Sequence, residues 1–143
     1  MFGPLTKDAN AVLTHAADEA ARRGDRRIGT DHLLLGLLHD PAIAVALSTD
    51  IAHARATAEN LDRSALAALG IDVGSMPSPS AAKGAGHAPL TSGFRAVIGR
   101  AVALASADKT RKVEPRHLLS ALLERKQPDP AASLLDALDV HRD

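Results

Sequence analysis

The stretch IGTDHLLLGLL at positions 28–38 returns as VEPRHLLSALL at positions 113–123, a constant 85 residues later. The same offset pairs Leu5-Thr6 with Leu90-Thr91. Agreement over a helix pair and its flanks indicates an internal duplication, and a repeat that cannot cover its own apolar face packs against its copy. We therefore predict two related repeats packed about a pseudo-twofold axis.

Composition favours an all-α fold. The 143 residues are 45% apolar, mostly Ala and Leu, and Phe2 and Phe94 are the only aromatic residues. Ala and Leu are good helix formers, and this length suits one moderate core, so we expect a single domain over residues 1–143. The chain has no cysteine, no run of about 20 apolar residues and no signal peptide at its start. We expect a cytoplasmic protein without disulfides, and a monomer.

The 3.6-residue periodicity of apolar side chains predicts four helices in repeat one (1–73) and a truncated repeat two (90–143). Thr6 and Thr30 are expected to cap the first two helices through their hydroxyl groups. The second helix should bury one face, formed by four leucines: Leu33, Leu34, Leu37 and Leu38. Residues 74–89 are rich in Ser, Pro, Gly and Ala without periodicity, which is typical of a flexible linker.

These residues resemble the Clp amino-terminal domain, the paired four-helix module that precedes the ATPase rings of ClpA-, ClpB- and ClpC-type unfoldases. The repeated motif of that family is Gly-Thr-Glu-His-Leu-Leu-Leu-Gly-Leu, similar to Gly29–Leu37 here, and the ClpC-type branch is the most similar. No phosphate-binding Gly-x-x-x-x-Gly-Lys-Ser/Thr loop occurs in the chain. The resemblance implies a non-catalytic docking domain. The missing ATPase module favours a free-standing copy of it, with a fragment of a longer protein as the alternative.

In ClpC-type domains, as the resemblance implies, each repeat has a pocket for phosphoarginine. The corresponding residues here are Thr30, Asp31 and His32. The start of a helix favours an anion, a hydroxyl can donate to a phosphoryl group, and a carboxylate can bind a guanidinium in bidentate geometry. Asp31 is one methylene shorter than the family's Glu. Pro115 and Arg116 replace the Thr and the acid in repeat two, so we predict that the second pocket does not bind phosphoarginine.

A second surface of these domains binds cyclic peptide antibiotics in actinobacterial relatives. Phe2 stands at a matching position, Leu90 replaces a second aromatic residue, Arg95 replaces a Lys, and Gly99 replaces a Glu. The resemblance therefore implies an apolar groove at Phe2, Leu90 and Arg95, although Phe2 packing back on the bundle is an equal alternative.

Charge leaves other functions open. Residues 1–73 carry seven Lys or Arg against ten Asp or Glu, and residues 88–126 carry eight against three. The basic half indicates either an acidic partner or a solvated face. A helical DNA-binding regulator using Arg111, Lys112 and Arg116 is an alternative, but the net charge is zero.

Enzymatic activity is not expected. Ser92, Ser106 and Ser120 lack the Gly-x-Ser-x-Gly setting of a nucleophile, and no His-Glu-x-x-His metal motif is present. His32 and His117 share a repeat position and should form local hydrogen bonds. We therefore predict a module of the Clp protease system without catalysis, metal, cofactor or membrane partner. It recognises substrates, degrons or cyclic peptides as a decoy or modulator of a ClpC-type unfoldase, or alternatively delivers cargo to the unfoldase as an adaptor.

Overall fold

The computed structural model describes residues 5–70 and 89–139, which are helical apart from caps, turns and short connections. Four helices lie in repeat one and three in repeat two, so the prediction of an all-α fold is confirmed. Their bounds are α1 Lys7–Arg23, α2 Thr30–Leu37, α3 Pro41–Ala46, α4 Ile51–Ala68, α5 Ser92–Ala107, α6 Pro115–Leu123 and α7 Pro130–Ala137.

The first helix of each repeat begins in the same way. The Thr6 hydroxyl accepts a hydrogen bond from the Ala9 N–H at 3.1 Å, and the Thr91 hydroxyl accepts one from the Phe94 N–H at 3.1 Å. Such caps satisfy amides that have no partner within the helix. Gly24 ends α1 in the left-handed region at φ 69°, a conformation that favours glycine. The two threonines therefore mark matching starts, 85 residues apart.

Helix α2 lies at the centre of the fold. Every residue from His32 to Leu37 is buried, so the prediction of a single buried face was wrong. Helix α1 covers one side of α2, while α6 and α7 of the other repeat pack on it as well. Neighbours from both repeats leave no side of so short a helix exposed, which explains its uninterrupted leucines. Those leucines belong to one core cluster that includes residues of both repeats.

In each repeat, the residue just before the first helix pairs with an extended residue of the other repeat. Leu5 pairs with Val113 and Ile28 pairs with Leu90, both in parallel orientation. The Thr6 N–H donates to the Val113 carbonyl, and the Thr91 N–H donates to the Ile28 carbonyl, both at 3.0 Å. This reciprocal arrangement agrees with the predicted pseudo-twofold packing.

The apolar pattern of repeat one predicts a third helix from Ile43 to about Ser48 and a separate turn at 64–69, and the structure differs from both predictions. Helix α4 runs without interruption to Ala68, so residues 64–68 continue it. Helix α3 ends at Ala46, two residues earlier than the pattern predicts. Of the predicted linker only Pro89 lies within the described residues. None of the described helices is long and apolar enough to cross a membrane.

Candidate ligand site

His32 of α2 caps the start of its own helix, where the predicted residues Thr30 and Asp31 also lie. The N-cap is Gly29, whose N–H donates to His32 Nδ1 at 2.8 Å. Because Nδ1 accepts, the proton of the neutral ring lies on Nε2, which donates to Asp25 at 2.7 Å. Burial alone would raise the pKa of Asp25, but the hydrogen bond from His32 and the charge of Arg23 outweigh burial and lower it.

Repeat two builds the same capping arrangement. The Glu114 N–H donates to His117 Nδ1 at 2.9 Å, and His117 Nε2 lies 3.0 Å from Asp108. Both histidines are buried. The prediction that the two histidines form local hydrogen bonds is therefore confirmed, and in both repeats their ring nitrogens already have partners.

Thr30 does not cap α2 as the sequence suggested. Its hydroxyl donates to Asp129 Oδ1 at 2.7 Å and accepts from the Ala131 N–H at 3.2 Å, both across the repeat boundary. Thr30 is 1% exposed, and Asp129 is buried and also bound by Arg125 at 3.0 Å. The reason is that α7 begins beside α2, where the buried Asp129 carboxylate needs donors. Thr30 therefore joins the two repeats.

Asp31 lies on the first turn of α2 with 19% of its side chain exposed. Its Oδ2 accepts from Arg23 Nη1 at 3.0 Å. Arg23, the last residue of α1, also binds Asp62 of α4, and its Nε lies 3.4 Å from Asp25. Burial alone would lower the pKa of Arg23, but the three surrounding carboxylates outweigh burial and raise it above its ordinary value.

A cavity of about 120 Å³ opens beside this cluster, between α1, α2, α4 and α7. We call it the Asp31 pocket. Its charged lining consists of Arg23, Asp31 and Asp62; Ala58, Leu61, Pro130, Ser133 and Leu134 complete the wall. Of the three predicted site residues only Asp31 lines the pocket.

Sequence reasoning missed Arg23 and Asp62 as partners of Asp31. One signal could have found Arg23. Positions 23 and 31 become Asp108 and Arg116 in repeat two, so both charges reverse together. Arg116 Nη1 indeed binds Asp108 Oδ2 at 2.9 Å. No comparable signal marks Asp62, because repeat two has no described helix equivalent to α4.

The cationic residues near the start of α6 differ in their ion pairs and exposure. Arg116 also donates to Glu114 at 3.1 Å, whereas Arg111 and Lys112 are exposed in the loop before α6. An arginine held by two carboxylates is less available to a phosphate than an unpaired one. That Arg116 prevents phosphoarginine binding in repeat two stays a prediction.

The predicted cyclic-peptide groove lies only partly within the residues that the structure describes. Phe2 lies outside the described residues. Leu90 is half-buried where it pairs with Ile28, and Arg95 is exposed on the first turn of α5. A side chain at Gly99 would meet open space. The groove at Phe2, Leu90 and Arg95 stays a prediction.

A larger open groove of about 310 Å³, which the sequence did not predict, lies over α1 and the end of α2. The imidazole rings of His15 and His39 stack there with centroids 4.0 Å apart. His39 Nε2 lies 3.0 Å from the buried Glu19, which also accepts from Arg55. Among the described residues, no group of three His, Asp or Glu side chains could hold a metal ion.

The family of the chain follows from comparison with known proteins. The sequence model of the Clp repeat (R) N-terminal domain matches residues 4–138. The chain belongs to this family. Its fold is similar to the N-terminal domain of the Caseinolytic protease associated chaperone ClpD from Arabidopsis thaliana, with a TM-score of 0.75 and 21% identity over 96% of this chain and 86% of that one.

Curated relatives match this Clp repeat domain over a shorter stretch. The ATP-dependent Clp protease ATP-binding subunits ClpC of Staphylococcus epidermidis and Staphylococcus aureus are each 54% identical to it over 41 residues. These residues are 29% of this chain and 5% of each relative. The chain thus shares a local segment with ClpC, and the resemblance seen in the sequence is confirmed.

Proposed function

We propose that this Clp repeat domain is a non-catalytic binding module that recognises protein ligands of a Clp protease system through the Asp31 pocket. It acts as a decoy or modulator of a ClpC-type unfoldase by competing for those ligands. Family membership supports the role in protein interaction. The observation that carries the proposal is that the partly exposed Asp31 carboxylate, beside a pocket, already accepts a guanidinium N–H at 3.0 Å.

The pocket suits one long cationic side chain. Its volume of about 120 Å³ is below the roughly 300 Å³ at which cavities begin to hold whole small ligands. Ala58, Leu61 and Leu134 offer an apolar wall for an aliphatic stem, and Asp31 and Asp62 offer charge at its end. Arginine has this combination of an apolar stem and a planar cationic head. We therefore propose an arginine side chain of a protein as the ligand.

The same geometry argues for unmodified arginine over phosphoarginine. The Thr30 hydroxyl is buried and donates to Asp129, so it offers no donor to a phosphoryl group. Asp31 and Asp62 would repel the phosphoryl charge at close range. We propose that the phosphoarginine-like pocket of Thr30, Asp31 and His32 is retuned towards the guanidinium alone.

Matched peptides test the ligand. Calorimetric titration would compare peptides that differ at one residue, namely arginine, phosphoarginine or the neutral isostere citrulline. We expect arginine to bind more tightly than phosphoarginine, and citrulline not to bind. Asp31→Asn should weaken arginine binding at least about tenfold, because a charge-assisted bidentate contact is lost. The exposed Asp18→Asn is the control. Equal binding of arginine and citrulline would contradict the proposal.

A competition experiment tests the decoy role. The domain is added to a ClpC-type unfoldase with its protease and an unfolded substrate, and the rate of substrate degradation is followed. We expect the wild type to slow degradation and Asp31→Asn to slow it less. An adaptor predicts the opposite, faster degradation that does not depend on Asp31. Pull-down from host lysate with both variants then identifies the proteins concerned.

A further inference from the structure

Arg23 occupies the charged end of the Asp31 pocket from within the protein. One guanidinium faces three carboxylates, on Asp25 at the start of the α1–α2 connection, Asp31 on α2 and Asp62 on α4. Only 16% of the Arg23 side chain is exposed. Its Nη1 lies 3.0 Å from Asp31 Oδ2, the oxygen that an external guanidinium would need.

The charges at this point are unequal. Three carboxylates against one guanidinium leave the cluster negative, and at least one cation is required to keep so many acids close together. The pocket next to the cluster therefore attracts cations, while the place with the best geometry is already filled. An incoming arginine gains full contact with Asp31 when Arg23 moves away.

We propose that Arg23 is the resident occupant of a guanidinium site, and that an arginine of a ligand binds by displacing it. Arg23 thereby sets both the affinity and the specificity of the pocket. The part of this inference that concerns ligands rests on the proposed function, whereas the nature of the site does not. A displaced Arg23 keeps part of its stabilisation, because it is the last residue of α1 and a cation at the end of a helix interacts favourably with the helix dipole.

Repeat two has the corresponding ion pair without the rest of the site. The pair of Asp108 and Arg116 joins the same two repeat positions with opposite charges, and both side chains are about half exposed. An ion pair here is thus a common element of the repeat. What repeat one adds is the additional carboxylates of Asp25 and Asp62 and the adjoining cavity, which turn an ion pair into a site.

Chemical rescue of Arg23→Ala tests the nature of the site. Ethylguanidinium replaces the atoms that this substitution deletes, and ethylurea is its neutral counterpart. We expect the thermal midpoint of Arg23→Ala to rise by about 3 °C or more in ethylguanidinium at tens of its dissociation constant, relative to the wild type in the same solution. Ethylurea should have no effect. Arg100→Ala, which removes a half-exposed partner of Glu124, is the matched control and should not be rescued. Equal responses of the two variants would overturn the inference.

Peptide binding tests displacement. If Arg23 fills the site in more than about nine molecules of ten, its removal should tighten binding of the arginine peptide about tenfold or more. Arg23→Met keeps the apolar stem and serves as a second variant that packs like the wild type. Unchanged or weaker binding by both variants would overturn displacement. Rescue by ethylguanidinium without binding of any peptide would support the guanidinium site and overturn the proposed function.

Discussion

The two repeats fold alike and distribute their charges differently. In each repeat the second helix (α2 or α6) begins with a histidine cap, and an ion pair joins the end of the first helix (α1 or α5) to the start of the second. That pair is Arg23 with Asp31 in repeat one and Asp108 with Arg116 in repeat two, so its polarity is inverted. The two repeats thus contain the pair in opposite directions. A guanidinium ligand would distinguish them, because α2 presents a carboxylate at this position and α6 presents an arginine.

The repeats also differ inside the bundle. Glu19 is buried in α1, whereas the matching position in α5 is Leu104. Gly36 lies in the crossing of α1 and α2, whereas its counterpart in α6 is Ala121. Repeat one therefore combines a closer helix contact with a buried polar network. Five substitutions, of which the two at the ion pairs come last with the smallest expected effects, would separate what the fold requires from what repeat one alone has acquired.

Gly36→Ala should have the largest effect. A Cβ at Gly36 would lie 2.6 Å from the Val12 carbonyl oxygen and 2.9 Å from the Ala16 amide nitrogen. Backbone cannot give way easily, so we expect about 3 kcal/mol of destabilisation from overpacking. Urea denaturation measures it. The matched control is Ala121→Gly, expected to cost about 1 kcal/mol through backbone entropy. A cost for Gly36→Ala no larger than that of the control would contradict overpacking at Gly36.

Glu19→Gln should come next, with a dependence on pH. Burial alone would raise the pKa of Glu19, but hydrogen bonds from Arg55 and His39 outweigh burial and hold it below its ordinary value of 4.5. A carboxylate with a lowered pKa adds stability above pH 4.5 and loses it as the pH falls through the folded pKa. We expect a cost of about 2 kcal/mol at pH 7, because the Arg55 guanidinium loses its counter-charge.

Denaturation of both proteins between pH 7 and pH 3 checks this dependence. The curves of wild type and Glu19→Gln should converge below pH 4.5. The exposed Glu59→Gln on α4 is the control and should follow the wild type throughout. A gap between wild type and Glu19→Gln that stays constant with pH would contradict the assignment of the acid-dependent stability to Glu19.

Thr30→Val tests the junction between repeats. The substitution keeps the shape and removes the hydroxyl that donates to the buried Asp129. We expect a loss of about 1.5 kcal/mol, because a buried acceptor gives up one of its donors. Thr14→Val is the control, since the Thr14 hydroxyl makes only an exposed hydrogen bond within α1. Thermal unfolding of the two variants measures the difference, and equal midpoints would deny Thr30 a role at the junction.

The inverted ion pairs should give the smallest effects on stability. Arg116→Gln should cost less than about 0.5 kcal/mol, because its partners are exposed. Asp31→Asn should cost about 1 kcal/mol at most, since Arg23 keeps two other carboxylates. Urea denaturation at low and high salt measures these two costs. Their dependence on salt distinguishes them from the larger costs of the other substitutions. A larger cost for Arg116→Gln would mean that the fold depends on this ion pair.

Sequence reasoning predicted most of the fold because duplication constrains it. A repeated pattern gives each helix two chances to be recognised, and the Thr6 and Thr91 caps, the Gly24 stop and the Pro115 start all follow from local chemistry. The predictions were wrong where the deciding contacts come from residues that are distant in the sequence. The burial of α2 on all sides depends on helices of both repeats, which local periodicity does not contain.

The candidate site was predictable only in part for the same reason. Asp31 was found from its motif, but its partners Arg23 and Asp62 lie 8 and 31 positions away along the chain. Thr30 was assigned to a cap because threonine before a helix commonly acts as one. Its actual acceptor, Asp129, is 99 residues away. Burial of a carboxylate beside α2 decides the role of Thr30, and no local pattern records it.

The crossed extended contacts have a consequence for assembly. Leu5 pairs with Val113 and Ile28 pairs with Leu90, so each repeat is completed by the other. The same contacts would be satisfied whether the two repeats came from one chain or from two chains that exchange halves. The length of the connection between the repeats therefore bears on which of the two arrangements a chain can adopt. Shortening it should favour an exchanged dimer with the same interior over a monomer, a change that sedimentation would detect and circular dichroism would not.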